Sequence, residues 1–517
     1  MTGYDDEGSV AARLARCGPA GQERVLRERG AEVAAEMADG FTRRHPEMAA
    51  RTGVARRQLV ALAACAAVLL VALVAVPFVL LMVLTVLVVG HSLLNAVFVL
   101  AGLAGERDGP TAAPPLPDAE LPTYTVLVPA YREAEVIGGL VRHLARLDYP
   151  AHLLDVQILV ERHDPDTARA VRAADPPPYV RIVELPPGPP QTKPRSVNLG
   201  LMLARGELVV IFDAEDRPEL DQLRRAAAEF ARDRRQGGGG HGELACVQAR
   251  LLFQNAATNW LTRQFALEYA MRYTLALPGL ARLRLPIPLG GTSNHFRTRL
   301  LRDLGGWDAW NVTEDADLGM RCAALGCRTT TITSVTWEDA LDTVAPFIRQ
   351  RTRWFKGFLL TALVHTRRPL RAVRRFRPSG MLVLLGVVAS APVTAMLQPL
   401  VAALTVVGLC GWSWSPTGGA LLAPALVAQV ASAGLWIGTM YVAARRAPAE
   451  AAVAPRHALL TPLYSVLWWA AAWRAAYQLV TSPFTWEKTP HKPSGPGATV
   501  TGSSQNPSRE ERFPLAG

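Results

Sequence analysis

The chain of 517 residues is half hydrophobic, carries a formal charge of +11 and has a pI near 9.7. Its mean hydropathy of +0.14 is high for a soluble enzyme and low for a pure transporter, so a polar functional unit must share the chain with membrane segments. A nucleic-acid partner is not expected. The basic excess at Arg367, Arg368, Arg371, Arg374, Arg375 and Arg377 leads straight into an apolar block and suits anionic lipid headgroups.

Residues 1–57 read as a polar, Ala/Arg-rich helical arm around Gly18 and Gly40. Leu59 to Leu103 is almost unbroken apolar sequence, roughly twice what one helix needs to cross a bilayer core. Pro77 splits it, which predicts a transmembrane hairpin over 58–103. Arg43, Arg44, Arg51, Arg56 and Arg57 precede the hairpin, and the positive-inside rule places the arm in the cytoplasm. No signal peptide is read, because the first apolar stretch follows a long polar arm. Residues 104–122 are rich in Pro, Gly and Ala from Gly105 to Pro122 and read as a linker.

Over 123–370 the pattern changes to strands at Tyr124–Ala130, Val156–Glu161, Val180–Leu185 and Leu208–Phe212, with helical stretches such as Glu135–Leu147 between them. This alternation predicts an α/β fold, a mainly parallel sheet covered on both faces. Gly237 to Gly240 reads as a flexible surface loop. The six cysteines are scattered and expected to be reduced; Cys322 and Cys327 are expected to share one helix as packing residues rather than ligands.

Residues 371–482 return to transmembrane and interface helices, with apolar blocks at Met381–Cys410, Leu421–Val442 and Leu459–Val480. The uncharged turn Trp412–Pro416 reads as external, and Arg445, Arg446 and Arg456 mark an internal loop. One helix per block would leave the tail outside, yet Arg474, Lys488, His491 and Lys492 favour an internal tail. Either the second block bends into a pair around Pro392 or the fourth lies in the interface. Residues 483–517 are expected to form a cytoplasmic tail, Ser/Gly/Pro-rich after Pro493 and read there as disordered.

Three constellations carry chemistry. The run Val209-Val210-Ile211-Phe212 ends in Asp213-Ala214-Glu215-Asp216, and acidic side chains beyond a strand's carboxyl end can hold a hard divalent cation. Asp213 and Glu215 are the expected ligand pair, because alternate residues point the same way in extended backbone. Asp216 is expected to cap a helix starting at Pro218-Glu219-Leu220. Second, Thr313-Glu314-Asp315 follows the glycine-led run Gly290-Gly291-Thr292-Ser293-Asn294. Thr313 suits an N-cap, and a carboxylate at that helix start can act as a general base. Third, Gln350, Arg353 and Trp354 share one helix face at i, i+3 and i+4.

In this order the three motifs resemble those of membrane-embedded, processive family 2 glycosyltransferases, the group containing bacterial cellulose, hyaluronan, chitin and poly-N-acetylglucosamine synthases. The resemblance covers roughly Tyr124 to Phe358 and the flanking helices. It implies a GT-A type α/β domain inserted between transmembrane helices of the cell's plasma membrane. Catalysis would be cytoplasmic, with a UDP-sugar donor, Mg2+ or Mn2+, inversion at the anomeric carbon, and a growing β-linked polysaccharide exported as acceptor. By position, Asp213 and Glu215 would hold the metal–diphosphate and Asp315 would be the base. Thr313, Glu314, Gln350, Arg353 and Trp354 would shape the acceptor and diphosphate site. Lys193 and the Pro129, Tyr131 and Glu133 stretch would meet the nucleotide.

One departure concerns the base. The family places an aspartate pair at the end of the second strand, where this chain has Glu161-Arg162. Glu161 can still accept from a uracil imide, but the preference for UDP is open. Phe484-Thr485-Trp486-Glu487-Lys488-Thr489-Pro490-His491 resembles the C-terminal end of a bacterial subgroup and favours an internal tail. A lipid or polyprenyl-phosphate acceptor is the alternative, and a catalytically inactive membrane scaffold the alternative of another class. Partners are then the donor, a polysaccharide or lipid acceptor, the lipid bilayer, and accessory export or regulatory proteins.

Overall fold

The computed structural model describes residues 9–107, 113–237, 242–411 and 416–488. The turn residues 412–415, most of the Gly237–Gly240 loop, the middle of the linker and the tail after Pro493 lie outside the described residues.

The arm comprises α1 (Val10–Arg16), α2 (Pro19–Glu28) and α3 (Gly30–Arg44). Ser9 caps α1 by accepting the Ala12 amide at 3.1 Å, and Pro19 opens α2 where a missing N–H does no harm. The apolar run then forms α4 (Arg56–Ala75) and α5 (Pro77–Arg107), broken at Pro77 as its chemistry requires.

The α/β domain follows in chain order: β1 (Tyr124–Ala130), α6 (Ile137–Leu144), β2 (Leu154–Glu161), α7 (Pro165–Ala173), β3 (Val180–Leu185), α8 (Lys193–Leu203), β4 (Leu208–Ile211), β5 (Arg217–Pro218), α9 (Gln222–Arg235) and β6 (Leu244–Phe253). Then come α10 (Trp260–Tyr269), a π-helical stretch (Ala270–Ala276), α11 (Leu277–Arg282), β7 (Asn294–Arg297), α12 (Thr298–Asp303), α13 (Glu314–Ala324) and β8 (Arg328–Glu338). The sheet runs β3-β2-β1-β4-β7-β6-β8-β5. Four pairings are parallel and three antiparallel, so it is mixed rather than simply parallel. Both faces are covered. Val126, Val128, Val210 and Phe212 pack with α6 and α9, while Leu127, Val209 and Ile211 face α8 and the arm residues Leu14, Val33 and Met37. Cys322 is buried in α13, but Cys327 lies beyond its end, past the turn at Gly326, whose φ of +77° favours glycine; all six cysteines are free.

After the domain come α14 (Val344–Thr366), α15 (Pro369–Val383), a second π-helical stretch (Leu384–Ala389), α16 (Ser390–Leu409), α17 (Pro416–Arg446) and α18 (Thr461–Thr481). Among the described residues four segments are long and apolar enough to span a membrane: Arg56–Ala75, Pro77–Gly105, Pro369–Leu409 and Ala420–Arg446. Polar side chains inside this bundle bond across helices, as His91 does with Ser390 (2.8 Å) and Ser92 with Ser432 (2.7 Å). The second apolar block is interrupted by the π stretch ahead of Pro392 rather than at it. The fourth block is α18, and both its ends are fastened to the α/β domain and α14. Gln264 donates to the His457 carbonyl at 2.6 Å before α18, and Lys356 donates to the Ser482 carbonyl at 3.1 Å after it. Between those ends it packs on both α14 and α16, with Ala471, Ala472 and Ala475 against Phe355 and Ala395.

Candidate active site

In the sheet order, β1 is the point where succession reverses, with β2 on one side and β4 on the other. Ligands of open α/β sheets bind beyond the strand ends at such a crevice. A cavity of about 340 Å³ opens there, and all thirteen residues singled out from sequence line it. Pro129, Tyr131 and Glu133 come from the end of β1, Glu161 from β2 and Lys193 from the start of α8. Asp213 and Glu215 follow β4, Thr313, Glu314 and Asp315 open α13, and Gln350, Arg353 and Trp354 sit on α14.

Strand β4 stops at Ile211 because the next residues fold into a turn closed by Asp216. Its Oδ2 accepts the Asp213 amide at 2.7 Å and the Thr292 hydroxyl. Asp216 is fully buried and caps no helix; Arg217–Pro218 is the short strand β5, and α9 begins only at Gln222 with Asp221 as its N-cap. This turn leaves Asp213 and Glu215 at the cavity wall. Lys193 Nζ donates to Asp213 Oδ1 and, at 2.9 Å, to the Gly291 carbonyl.

Gly290 explains part of the glycine run before the second motif, because a Cβ there would collide with the Tyr273 hydroxyl; at Gly291 a Cβ would stand at ordinary contact distance, 3.5 Å from Asp315 Oδ2 and 3.7 Å from Lys193 Nζ. Asp315 Oδ1 accepts the Ala316 amide at 2.8 Å. Thr313 occupies the N-cap position of α13, but its hydroxyl makes no cap bond and is buried without a partner. Its side chain packs on Gly357 of α14, whose missing Cβ leaves room for it. Burial pushes the Glu314 carboxyl up to about 8, with the Asp315 charge adding to it. Burial also raises Asp315 above its ordinary range, opposed by the Ala316 amide, Lys193, Arg272 and Arg353.

Glu161 is committed differently from the expectation. Its Oε1 accepts from Arg195 Nη1 at 3.2 Å, and that arginine, fully buried on α8, also donates to the Pro186 carbonyl. The carboxylate is thus already engaged by a cation.

Several lining residues were not foreseen. Tyr269, Arg272 and Tyr273 come from the junction of α10 with the π stretch, a distortion often found at functional sites. Their i, i+3, i+4 spacing is the same signal that flagged α14. Glu338 ends β8 and faces the Asp213–Asp216 turn. Trp486 and Lys488 come from the strap that follows α18, read from sequence only as a topology marker. Lys488 Nζ lies 2.9 Å from Glu133 Oε1 and 3.0 Å from the Arg132 carbonyl, while the Arg353 guanidinium sits 4.4 Å from the Trp486 ring.

Among the described residues no three His, Cys, Asp or Glu side chains converge as a ready-made metal site. The donor chemistry nonetheless fits a hard divalent cation. Asp213, Glu215 and Glu338 offer carboxylate oxygens on one wall, and buried Asp216 Oδ1 behind them has no partner.

Fold and cavity together define a GT-A type α/β domain, flanked by helices long and apolar enough to span a membrane. Residues 122–357 match the family described as glycosyltransferase like family 2, so this part of the chain is a family 2 glycosyltransferase domain. The probable glycosyltransferase YdaM of Bacillus subtilis is 26% identical over 241 residues, 46% of this chain and 56% of that protein. The beta-monoglucosyldiacylglycerol synthase of Synechocystis is 27% identical over 277 residues, 51% of this chain and 54% of that protein. The chain thus spans about half the length of these curated relatives. Among solved structures, the mannosyltransferase PcManGT from Pyrobaculum calidifontis, in complex with GDP-Man and Mn2+, aligns with a TM-score of 0.52 at 19% identity. That alignment covers 77% of this chain and 99% of that one, a likeness of fold.

Proposed function

We propose that the protein is an inverting glycosyltransferase of the plasma membrane, taking a sugar from a nucleotide-sugar donor and adding it to a growing β-linked polysaccharide. The observation that carries the reading is the convergence of the three motifs on one crevice whose far wall, α14, packs against the membrane helix α16 and against α18. Residues 123–370 are the catalytic unit, facing the cytoplasm, with the helices of 58–103 and 371–482 around it.

Asp315 takes the proton of the acceptor hydroxyl as that oxygen attacks the anomeric carbon, and the bond from that carbon to the diphosphate oxygen breaks. Lys193 and Arg353 meet the charge that grows on the leaving diphosphate. Asp213 and Glu215 would hold Mg2+ or Mn2+, which when bound neutralises the same charge. Trp354 and Tyr269 offer flat apolar faces on which a sugar ring can stack. The Arg195-bound Glu161 accepts from the donor's base, and UDP is the nucleotide favoured.

A second reading, a single transfer to a lipid, draws on the likeness to the diacylglycerol-modifying relative. Both are tested by incubating the full chain in lipid nanodiscs with radiolabelled UDP-glucose, UDP-N-acetylglucosamine or GDP-mannose and Mg2+ or Mn2+. A label that resists organic extraction and is digested by a β-glycosidase supports the polymer. A single extractable glycolipid overturns it in favour of the lipid. Absence of nucleoside diphosphate release from every donor overturns both and favours an inactive scaffold. Asp315→Asn should lower transfer by about 10²- to 10⁴-fold, the usual contribution of a general base, while nucleotide binding persists.

A further inference from the structure

Arg351 lies one residue from Gln350 and two from Arg353, yet it does not line the cavity. It is almost fully buried, and its two terminal nitrogens each donate to one oxygen of Glu268 at 2.7 Å. The Tyr464 hydroxyl donates to the same carboxylate at 2.6 Å. Four rings surround the guanidinium: Trp354 at 4.5 Å, Phe347 at 5.1 Å, Trp468 at 5.3 Å and Phe265 at 5.4 Å. These groups come from α10, α14 and α18.

Energetically such a cluster is a poor way to stabilise a fold. A buried ion pair rarely outperforms packed apolar side chains of the same volume, whereas a bidentate guanidinium–carboxylate fork fixes direction and register. Trp354, stacked behind by Arg351, faces the cavity beside Tyr269, the neighbour of Glu268, with the two rings 6.3 Å apart and 30° from parallel. On the far side Tyr464 and Trp468 belong to α18, which continues into the strap bearing Trp486 and Lys488.

We propose that Arg351, with Glu268 and Tyr464, is a positioning clamp that sets the aromatic acceptor wall of the cavity and ties it to α18. The proposal rests on the transferase reading above. Arg351 and Tyr464 do not line the cavity, Glu268 borders it with its carboxylate committed to both, and the clamp acts through Trp354 and Tyr269. Misplacing an acceptor by about 1 Å can lower a rate by up to about 10²-fold. Donor binding, on Lys193, Asp213 and the β1 end, stands apart from it.

The test separates transfer from uncoupled donor hydrolysis. Full-length wild type, Arg351→Lys and Tyr464→Phe in nanodiscs are given the radiolabelled UDP-glucose, UDP-N-acetylglucosamine or GDP-mannose that wild type consumes, with Mn2+. Label in polymer or lipid is counted against label released as free sugar. Arg351→Lys, which keeps the charge but loses the fork, should lower transfer about tenfold and leave hydrolysis within about twofold. Tyr464→Phe should change the ratio in the same direction and less, and it removes only a hydroxyl should Arg351→Lys fail to fold. The pair Arg351→Gln with Glu268→Gln, whose amides can bond each other, should regain part of the ratio lost in Arg351→Gln alone. Equal loss of transfer and hydrolysis, or no change in either variant, overturns the clamp. If wild type releases no nucleoside diphosphate, the transferase reading falls first and the clamp with it.

Discussion

Glu314 and Asp315 are adjacent carboxyls in one buried site, and burial raises both above their ordinary range. With its value at about 8, Glu314 is protonated at neutral pH. Glu314→Gln should therefore keep transfer within about threefold at pH 7, where Asp315→Asn should not. Stability follows the same logic. The folded state holds the Glu314 proton more tightly than the unfolded chain, so its contribution to stability falls as pH rises from about 4.5 to about 8. Thermal melts of the metal-free protein across that window should lose this slope in Glu314→Gln, and an unchanged slope would refute the assignment. Gly357 is a second residue-scale case. A methyl there must displace Thr313, so Gly357→Ala should destabilise by about 1–3 kcal/mol, read as a lower melting temperature, and reduce transfer by disturbing the start of α13.

At the scale of elements, the strands flanking the crevice were legible. Tyr124–Ala130 and Val180–Leu185 are apolar runs between turn residues, and their bounds match β1 and β3. That the thirteen candidate residues line one cavity was foreshadowed in two ways: the acidic strand end at Asp213 and the helix start at Thr313 mark themselves in the sequence, while Lys193, Glu161 and the Pro129–Glu133 stretch came from the family resemblance. What was not legible depends on partners far away in the chain. β5 is a two-residue strand that exists only because it pairs with Thr336 and Trp337 of β8. That pairing displaced the start of α9 and freed Asp216 to close the turn. β7 and β8 are short or Thr-rich, without the apolar signature of a buried strand, and they take their register from β6. The strap is the same kind of omission: its sequence was noted, but not its reach of more than 350 residues back to Glu133. Trp486→Ala removes the face over Arg353 and should weaken nucleotide binding about tenfold by calorimetry with UDP or GDP; unchanged affinity would place the strap outside the donor site.

At the scale of the molecule, the arm is part of the packing rather than an appendage. Gln22 donates to the Leu14 and Leu203 carbonyls at 3.1 and 3.3 Å and accepts from Arg181 at 3.0 Å, fastening α2 to α8 and β3. Further along, Asn198 of α8 donates to the Met37 carbonyl, Trp310 donates to Asp39, and Asp308 accepts the Ala50 amide. The arm thus braces both α8, which carries Lys193, and the loop that leads into Thr313. Gln22→Ala strands buried carbonyls and should lower stability by about 1–3 kcal/mol, with limited proteolysis opening the arm before the domain.

That bracing has a consequence for how the chain is made. The arm is synthesised before its anchor points around Trp310, which lie some 250 residues further along the chain, beyond the apolar helices α4 and α5. At about 5–20 residues per second, the arm spends on the order of tens of seconds without its docking surface. Until then Leu14, Val33 and Met37, buried in the finished fold, lack the surface that covers them.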